Sequence, residues 1–343
     1  MPIKLIQVGL GRWGRNWATR VLPEVKSVKT VGYVDGDASQ LERAQEQAGI
    51  QAEDCFESLD TALVQRDCDA VLVTTAIGAH VPVALAAVRA GKHVLLEKPF
   101  APDSASARQV VAAARRRRRM LMISQNYRFH PAPVAVRRLV SRNELGPVGA
   151  VYVDFRRRGD TRPATDLHFQ LWHPLLVDMA IHHWDLMRMV LGQEPVRIAC
   201  HTWNPPWSCY RMAPAALATL EFSKGTVVHY RGNYASTDEP TNWGGVWRME
   251  CARGVIHWTT RGDHGDQVRM VRSGRKERIL PLPKSIKLDR EGSLAAFARA
   301  IRSGMKPDTA GEDNLRTLEC MLAAVDAAES GVPVTLRPAN RRA

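Results

Sequence analysis

Four side chains in this sequence have the types and spacing of an acid–base group. Asp178, His182 and Asp185 fall in the run Asp-Met-Ala-Ile-His-His-Trp-Asp at i, i+4 and i+7. On a helix that spacing puts all three on one face. A histidine titrates near neutrality, and a carboxylate beside it can orient its ring. The fourth is Lys98, in Glu97-Lys98-Pro99; a lysine close to a positively charged ring can have its pKa lowered into the working range. Such a set would take a proton from a hydroxyl or return one. The plainer alternative, that the two acids cap or salt-bridge their helix and His182 is a core residue, stays open on the spacing alone. His182, His183 and an aspartate are also possible zinc ligands. Adjacent residues point to different helix faces, so no metal is expected.

The elements that must position these groups begin at residues 3–35. An apolar run at 3–8 breaks at Gly9-Leu-Gly11-Arg12-Trp13-Gly14, a helix-like segment follows, and a second apolar run at 28–34 ends in Asp35. Strand, glycine turn, helix, strand and terminal acid are the dinucleotide-binding fingerprint. Gly9 serves the tight turn, Gly11 lets backbone N–H groups approach a pyrophosphate, and Gly14 lets the helix pack on the strand. The helix N-terminus offers N–H donors to phosphate. Asp35 favours NAD, because a carboxylate accepts hydrogen bonds from ribose hydroxyls and repels a 2′-phosphate. Arg12 leaves NADP as an alternative.

Apolar runs then alternate with helical patterns. Asp37 and Gln40 have capping-box spacing ahead of a helix from 38 to Gly49. Strands are expected at 70–74 and 94–96, a helix at 81–89, and another at 104–119 before the run 121–123. Continuous apolar strands between helices mean a parallel, doubly wound sheet, so an NAD-binding domain is placed at 1–124. Ligands of such a sheet sit beyond the carboxyl ends of its strands. Thr75, Ile77, His80, Glu97, Lys98 and Gln125 are therefore further cofactor-binding candidates.

Beyond that the rhythm changes. Helices are expected at 134–141 and 175–191, and strands at 150–157, 196–203, 216–222, 226–234, 247–252 and 255–260, with a hairpin at Ser273-Gly274-Arg275. Helices at 292–303 and 312–330 close the chain, with capping-box spacing at Thr309 and Glu312. Residues 125–343 thus read as an α+β domain on one large, mostly antiparallel sheet.

Composition narrows the class. The six cysteines show no C-x-x-C spacing, which argues against a disulfide framework and suits reduced thiols in a cytoplasm. No apolar run approaches the roughly 20 residues of a membrane span. The net charge of +13 would serve anionic cofactors and substrates as well as nucleic acid. Its densest cluster, residues 115–119, ends a helical pattern, where arginines complement the helix dipole and stay solvated. Without interleaved aromatics it argues against a nucleic-acid groove.

Several ordered motifs together resemble the glucose-fructose oxidoreductase, inositol dehydrogenase and rhizopine-catabolism (Gfo/Idh/MocA) family over nearly the full length. They are Gly9-Leu-Gly-Arg-Trp-Gly14, Ala-Gly-Lys-His-Val-Leu-Leu-Glu97-Lys98-Pro99, Asp178-Met-Ala-Ile-His182, Gly311-Glu-Asp-Asn-Leu and Ala328-Glu-Ser-Gly-Val-Pro-Val. The resemblance implies a Rossmann domain, an open-faced sheet domain that often mediates oligomerisation, here to a homodimer or homotetramer, and NAD(P)-dependent oxidation of a sugar or cyclitol hydroxyl. It implies Lys98, Asp178 and His182 as the catalytic set and Asp185 as a substrate contact. Departures are Ala76-Ile77 where relatives have Pro-Asn, His173-Pro174 where a Gly-Gly pair is frequent, and Ala180 where Gly is common. They bear on the substrate more than on the reaction type.

Other substrate contacts are expected from Tyr127, Arg128 and His130, and from Arg156, Arg158, Arg162, His168, Trp172 and His173. Trp172 could stack on a sugar face. So many cations point toward an acidic substrate, though solvated loop arginines are the commoner case. Two other functions fit the same residues: a cofactor-recycling lyase or epimerase working through a transient ketone, and a non-catalytic NAD-sensing regulator. The acid–base set argues against the regulator.

Overall fold

The computed structural model describes residues 1–159, 167–262, 265–284 and 287–336; Arg162 lies outside them. Its contacts gather into two compact units, Met1–Asn126 with Ile286–Leu318, and Tyr127–Ser285 with Glu319–Ala343.

The first unit opens with β1 (Ile3–Val8), α1 (Arg12–Arg20), β2 (Val28–Val34), α2 (Ala38–Ala48), β3 (Cys55–Phe56), α3 (Leu59–Gln65), β4 (Ala70–Val73), α4 (Ile77–Arg89), β5 (His93–Leu96), α5 (Ser104–Arg117) and β6 (Leu121–Ile123). The six strands are parallel in the order β3-β2-β1-β4-β5-β6. All of β1 except Lys4, and all of β4, are buried, as helices on both faces require. The order reverses between β1 and β4, which puts a ligand crevice at their carboxyl ends.

Two local expectations are corrected here. Asp37 caps α2, but by accepting from the Ser39 N–H (2.9 Å); the Gln40 side chain accepts from Arg15 instead (2.8 Å), so no box closes. Helix α4 begins four residues before the apolar pattern shows it, because Gly78 and Pro82 are poor helix formers in its first turns. The arginines at the end of α5 are exposed.

The second unit contains α6 (Pro131–Ser141), β7 (Val148–Arg156), a π-helical turn at Leu175–Ala180 continued by α7 (Ile181–Leu191), then β8 (Pro195–Trp203), β9 (Ala215–Phe222), β10 (Val227–Asn233), β11 (Val246–Cys251), β12 (Gly254–Thr259), β13 (Gln267–Arg272) and β14 (Arg278–Ile279). The expected helix over 175–191 is therefore π-wound at its start. One wide turn barely alters the apolar pattern, so the sequence does not reveal it.

With a short last strand, β15 (Val334–Thr335), these make a nine-stranded sheet in the order β14-β13-β12-β11-β7-β10-β9-β8-β15. Its centre pairs β7 with β10 in parallel; the other described pairs are antiparallel. One face buries Tyr230, Trp247 and Trp258, while Arg231 and Arg248 stand on the exposed face. All eleven residues of α7 are buried. Its polar members therefore need partners inside the protein: Arg188 forks onto Glu194 at 2.6 and 2.8 Å, and Asp185 is held by Arg128.

Between β14 and β15 the chain forms α8 (Asp289–Ser303) and α9 (Gly311–Ser330). The stretch up to Leu318 belongs to the first unit. It is stitched to the β6 edge by Ile123 N–H donating to the Thr309 carbonyl (2.9 Å), by a Met122–Ala310 bridge and by Asn126 donating to Asp289. The capping box expected at Thr309 and Glu312 does not form. Among the described residues the Thr309 hydroxyl is buried without a hydrogen bond, and Glu312 pairs with Lys306. No helix of the described residues is long and apolar enough to cross a membrane.

Candidate active site

The glycine loop follows β1 directly. Gly9 has φ +98°, and a Cβ there would lie 2.6–2.8 Å from the Thr74–Thr75 backbone. A Cβ on Gly14 would meet the Gly9 carbonyl at 1.9 Å. These two glycines therefore let α1, β1 and the β4 loop touch, while a Cβ on Gly11 meets no described atom within 4 Å. Gln7 and Thr74 lock the loop from beneath: Gln7 Nε2 donates to the Gly14 carbonyl (2.8 Å) and to Thr74 Oγ1 (3.0 Å), and Thr74 Oγ1 donates to the Gly9 carbonyl (2.7 Å).

Asp35 stands at the end of β2 and accepts from two backbone N–H groups, Leu10 at 2.7 Å and Asp37 at 3.0 Å. Its carboxylate is thus fixed against the glycine loop. Arg12 and Trp13 are exposed on the first turn of α1. The Arg290 guanidinium lies 4.2 Å from the Trp13 ring centroid and donates to Asn16 at 2.7 Å. Nothing in the sequence marks Arg290, which arrives from α8.

Thr75 and Ile77 flank the start of α4. His80 is buried and lies between two backbone carbonyls, Nδ1 at 2.8 Å from Pro99 O and Nε2 at 3.1 Å from Thr75 O. Burial lowers its pKa, opposed by those two contacts. Glu97 is buried and frames the following turn: Oε1 accepts from Trp17 Nε1–H (2.8 Å) and Oε2 from the Lys98 N–H (3.0 Å). Lys98 is half-buried and precedes a cis bond to Pro99.

These residues fit a dinucleotide on structural grounds. Among the described residues, the Thr75 hydroxyl and both amide atoms of Gln125 are buried with no hydrogen-bond partner. Buried polar atoms are nearly always satisfied, and both residues follow strand ends where a bound polar ligand would satisfy them. Glycine loop, Asp35, Thr75 and Gln125 would hold that ligand.

In the second unit, Asp178 lies in the π-turn and His182 in the first turn of α7. Asp178 Oδ2 accepts from the Tyr234 hydroxyl at 3.0 Å. Burial raises the Tyr234 pKa well above its ordinary value, with the Asp178 charge adding to it, so the phenol stays a donor. His182 is buried and stacks on Tyr127, with centroids 4.1 Å apart and planes 2° from parallel. Tyr127 is held in turn by Arg261, whose guanidinium lies 4.5 Å from its ring and donates to its oxygen at 2.9 Å. Sequence reading missed Tyr234 and Arg261; the position of Tyr234 just past the end of β10 was the available signal.

The remaining sequence candidates divide. Asp185 receives Arg128 Nε and Nη2 at 2.5 and 2.7 Å, and both side chains are buried. Arg156 pairs with Asp238 and Asp154. His173 lies against Glu329 at 2.9 Å and His130 against Asp266 at 3.5 Å. Trp172 is exposed at 46%. His183 uses both ring nitrogens, with Nε2 donating to the Trp243 carbonyl (3.0 Å) and Nδ1 accepting from Tyr230 (3.1 Å). Its burial pulls the pKa down to about 4. The described residues contain no group of three or more His, Cys, Asp or Glu arranged to hold a metal.

Comparison with known proteins agrees with this geometry. Residues 3–125 match a family described as an oxidoreductase family with an NAD-binding Rossmann fold, and residues 134–261 match a GFO/IDH/MocA C-terminal domain. The chain is 25% identical to scyllo-inositol 2-dehydrogenase (NAD(+)) of Bacillus subtilis, over 97% of this chain and 96% of that one. It is 30% identical to dTDP-3,4-didehydro-2,6-dideoxy-alpha-D-glucose 3-reductase of Streptomyces violaceoruber, over 80% of each. Aldose-aldose oxidoreductase from Caulobacter crescentus has a similar fold, with TM-score 0.84 and 24% identity over 98% of this chain and 100% of that one.

Proposed function

The chain belongs to the GFO/IDH/MocA oxidoreductase family, and from that membership we propose that it oxidises a secondary hydroxyl of a sugar, sugar derivative or cyclitol with NAD⁺, or reduces the matching ketone. The observation that carries the reading is the pair of oriented groups in the second unit: His182 flat on Tyr127 and Asp178 hydrogen-bonded to Tyr234. These contacts fix a histidine and an acid of one helical run in set orientations, which an acid–base group requires.

Bound nicotinamide supplies the hydride acceptor. His182 takes the hydroxyl proton. Lys98 stabilises the alkoxide charge that develops as the C–H bond breaks. Asp178 orients His182 or holds a neighbouring hydroxyl. Asp35 selects NAD over NADP through its charge, and Glu97 keeps the Lys98 backbone in place. Assembly to a homodimer or homotetramer is assigned to the open face of the nine-stranded sheet, where Tyr152, Leu217 and Val246 are 40%, 49% and 47% exposed; light scattering tests it. Six free thiols are in keeping with work in the cytoplasm.

The test is an NAD⁺ reduction screen over inositols, aldoses, uronic acids and sugar phosphates, with product formed in step with NADH. Lys98→Ala should lose turnover at least a hundredfold while still binding NAD⁺. Near-normal turnover by that variant overturns the assignment.

A further inference from the structure

Helices α4 and α5 pack side by side on the first unit, and both end in arginine. Arg89 closes α4; Arg115, Arg116 and Arg117 close α5, and Arg118 and Arg119 follow. Between the helices runs a groove of about 540 Å³. Gln109, Ala112, Ala113, Arg116 and Arg117 line it from α5, and Leu85 and Arg89 from α4. Steps of three and four residues put each set on one stripe along its helix. Cations therefore stand on both walls of the groove.

Their charge is not answered within the unit. Neither helix contains an aspartate or glutamate. Among the described residues, the Arg89, Arg116 and Arg117 side chains make no ion pair or hydrogen bond, and all three are exposed. Nor do the helix ends need them as caps. The Ala114 and Arg115 carbonyls accept from the Arg119 and Arg118 N–H groups at 2.9 and 3.1 Å. Those of Ala87 and Val88 accept from the Lys92 and Gly91 N–H groups at 2.9 and 3.0 Å. Arg118 takes the left-handed position, φ +52°, where glycine is the usual residue. The groove also stands apart from the dinucleotide crevice. Each helix runs back against its strands, so α4 and α5 end where β5 and β6 begin, at the sheet edge opposite the carboxyl ends.

We propose that the α4–α5 groove binds a small anion carrying adjacent phosphates, as in a nucleoside triphosphate or inorganic tripolyphosphate. All three cations are arginines, whose planar forks take phosphate oxygens in paired, charge-assisted hydrogen bonds. A single phosphate carries only about two charges, fewer than the three guanidinium groups present; linked phosphates supply the rest. Walls on two sides suit a ligand that enters the groove, whereas a bilayer meets a flat face. A lining without aromatic residues gives nucleic-acid bases nothing to stack on. Gln109 adds an amide donor at the far end of the α5 stripe.

The experiment is calorimetric titration of the whole chain at about 0.15 M salt, saturated with NAD⁺ so that the crevice is filled. The probes are tripolyphosphate, ATP and orthophosphate. Tripolyphosphate or ATP should bind at one site per chain, tenfold or more tighter than orthophosphate. Equal affinity for the two assigns the phosphate chain alone as the ligand, and tighter binding of one names its source. Arg89→Gln, Arg116→Gln and Arg117→Gln should each weaken that binding at least threefold with thermal unfolding unchanged, and Arg116→Lys should recover part of it. Arg275→Gln, which removes an exposed arginine of the second unit, should leave it unchanged. Binding no tighter than that of orthophosphate, affinity unchanged in the three glutamine variants, or an equal loss in Arg275→Gln overturns the site. A short DNA duplex or phosphatidylserine vesicles bound more tightly than tripolyphosphate, and lost in the same variants, would also overturn it by assigning the arginines to a macromolecular surface.

Discussion

The imidazole of His182 and the phenol of Tyr127 lie face to face, 4.1 Å between centroids and 2° from parallel. Stacking fixes the plane of the imidazole and leaves rotation about the stacking axis to be set by hydrogen bonds. Tyr127→Phe should keep the stack and retain turnover within about threefold, while Tyr127→Ala should lower kcat/KM by roughly ten- to a hundredfold by freeing the ring. Steady-state kinetics on the first substrate found will show which. An alanine variant as active as the phenylalanine one would remove Tyr127 from the positioning of His182.

Arg128 and Asp185 form a buried bidentate pair. Removing one partner leaves an uncompensated buried charge, a loss of about 3–5 kcal/mol. Asp185→Ala should therefore lower the unfolding free energy in urea by that amount. A substrate-contacting role would instead show as a raised KM at unchanged stability.

Asp35 both binds the Leu10 N–H and presents a charge. Asp35→Asn keeps an acceptor for the turn but drops the charge. NAD⁺ affinity should fall modestly, while the NAD⁺ to NADP⁺ preference should fall by an order of magnitude or more, measured by fluorescence titration with both cofactors. An unchanged ratio would assign selectivity elsewhere, with Arg12 the first residue to examine.

His183 carries a pH signature. Its folded pKa, near 4, lies below the ordinary 6.5 because burial disfavours the imidazolium. The native state thus binds its proton less readily than the unfolded chain. The contribution is fully present above pH 6.5 and is lost as pH falls toward 4, a total of about 3 kcal/mol. Urea denaturation of wild type and His183→Gln at pH 7 and pH 4.5 should show a steeper decline in the wild type. Parallel slopes would contradict the assignment.

Much of this was legible from residues 3–35 alone, because a glycine turn between two apolar strands admits few folds, and a parallel sheet followed from strands alternating with helices. Of the catalytic candidates, Asp178 and His182 were legible because they share one helix run, and Lys98 because it follows the end of an apolar strand. Their supports were not. Tyr234 reaches Asp178 across 56 positions and Arg261 reaches Tyr127 across 134, and no local pattern encodes such pairings. Asp185 shows the converse. Helical spacing places it on the same face as His182, but spacing carries no information about Arg128, and the ion pair follows only once α7 is known to be buried on all sides. Caps misled for a similar reason. Gln40 and Glu312 sit where a box needs them, yet Arg15 and Lys306 bind them instead.

The first unit draws residues 286–318 back to the edge of β6 after the chain has made most of the second. Its sheet is complete once Ile123 is made, but the Asn126–Asp289 contact and the Thr309 backbone bond wait for more than 160 further residues of synthesis. Domains usually fold as units as they emerge, N-terminal first. Here the nascent Rossmann sheet must persist with an uncovered edge until translation is almost finished. A ribosome stalled before residue 286 would therefore hold a chain whose first unit is open to proteolysis at β6.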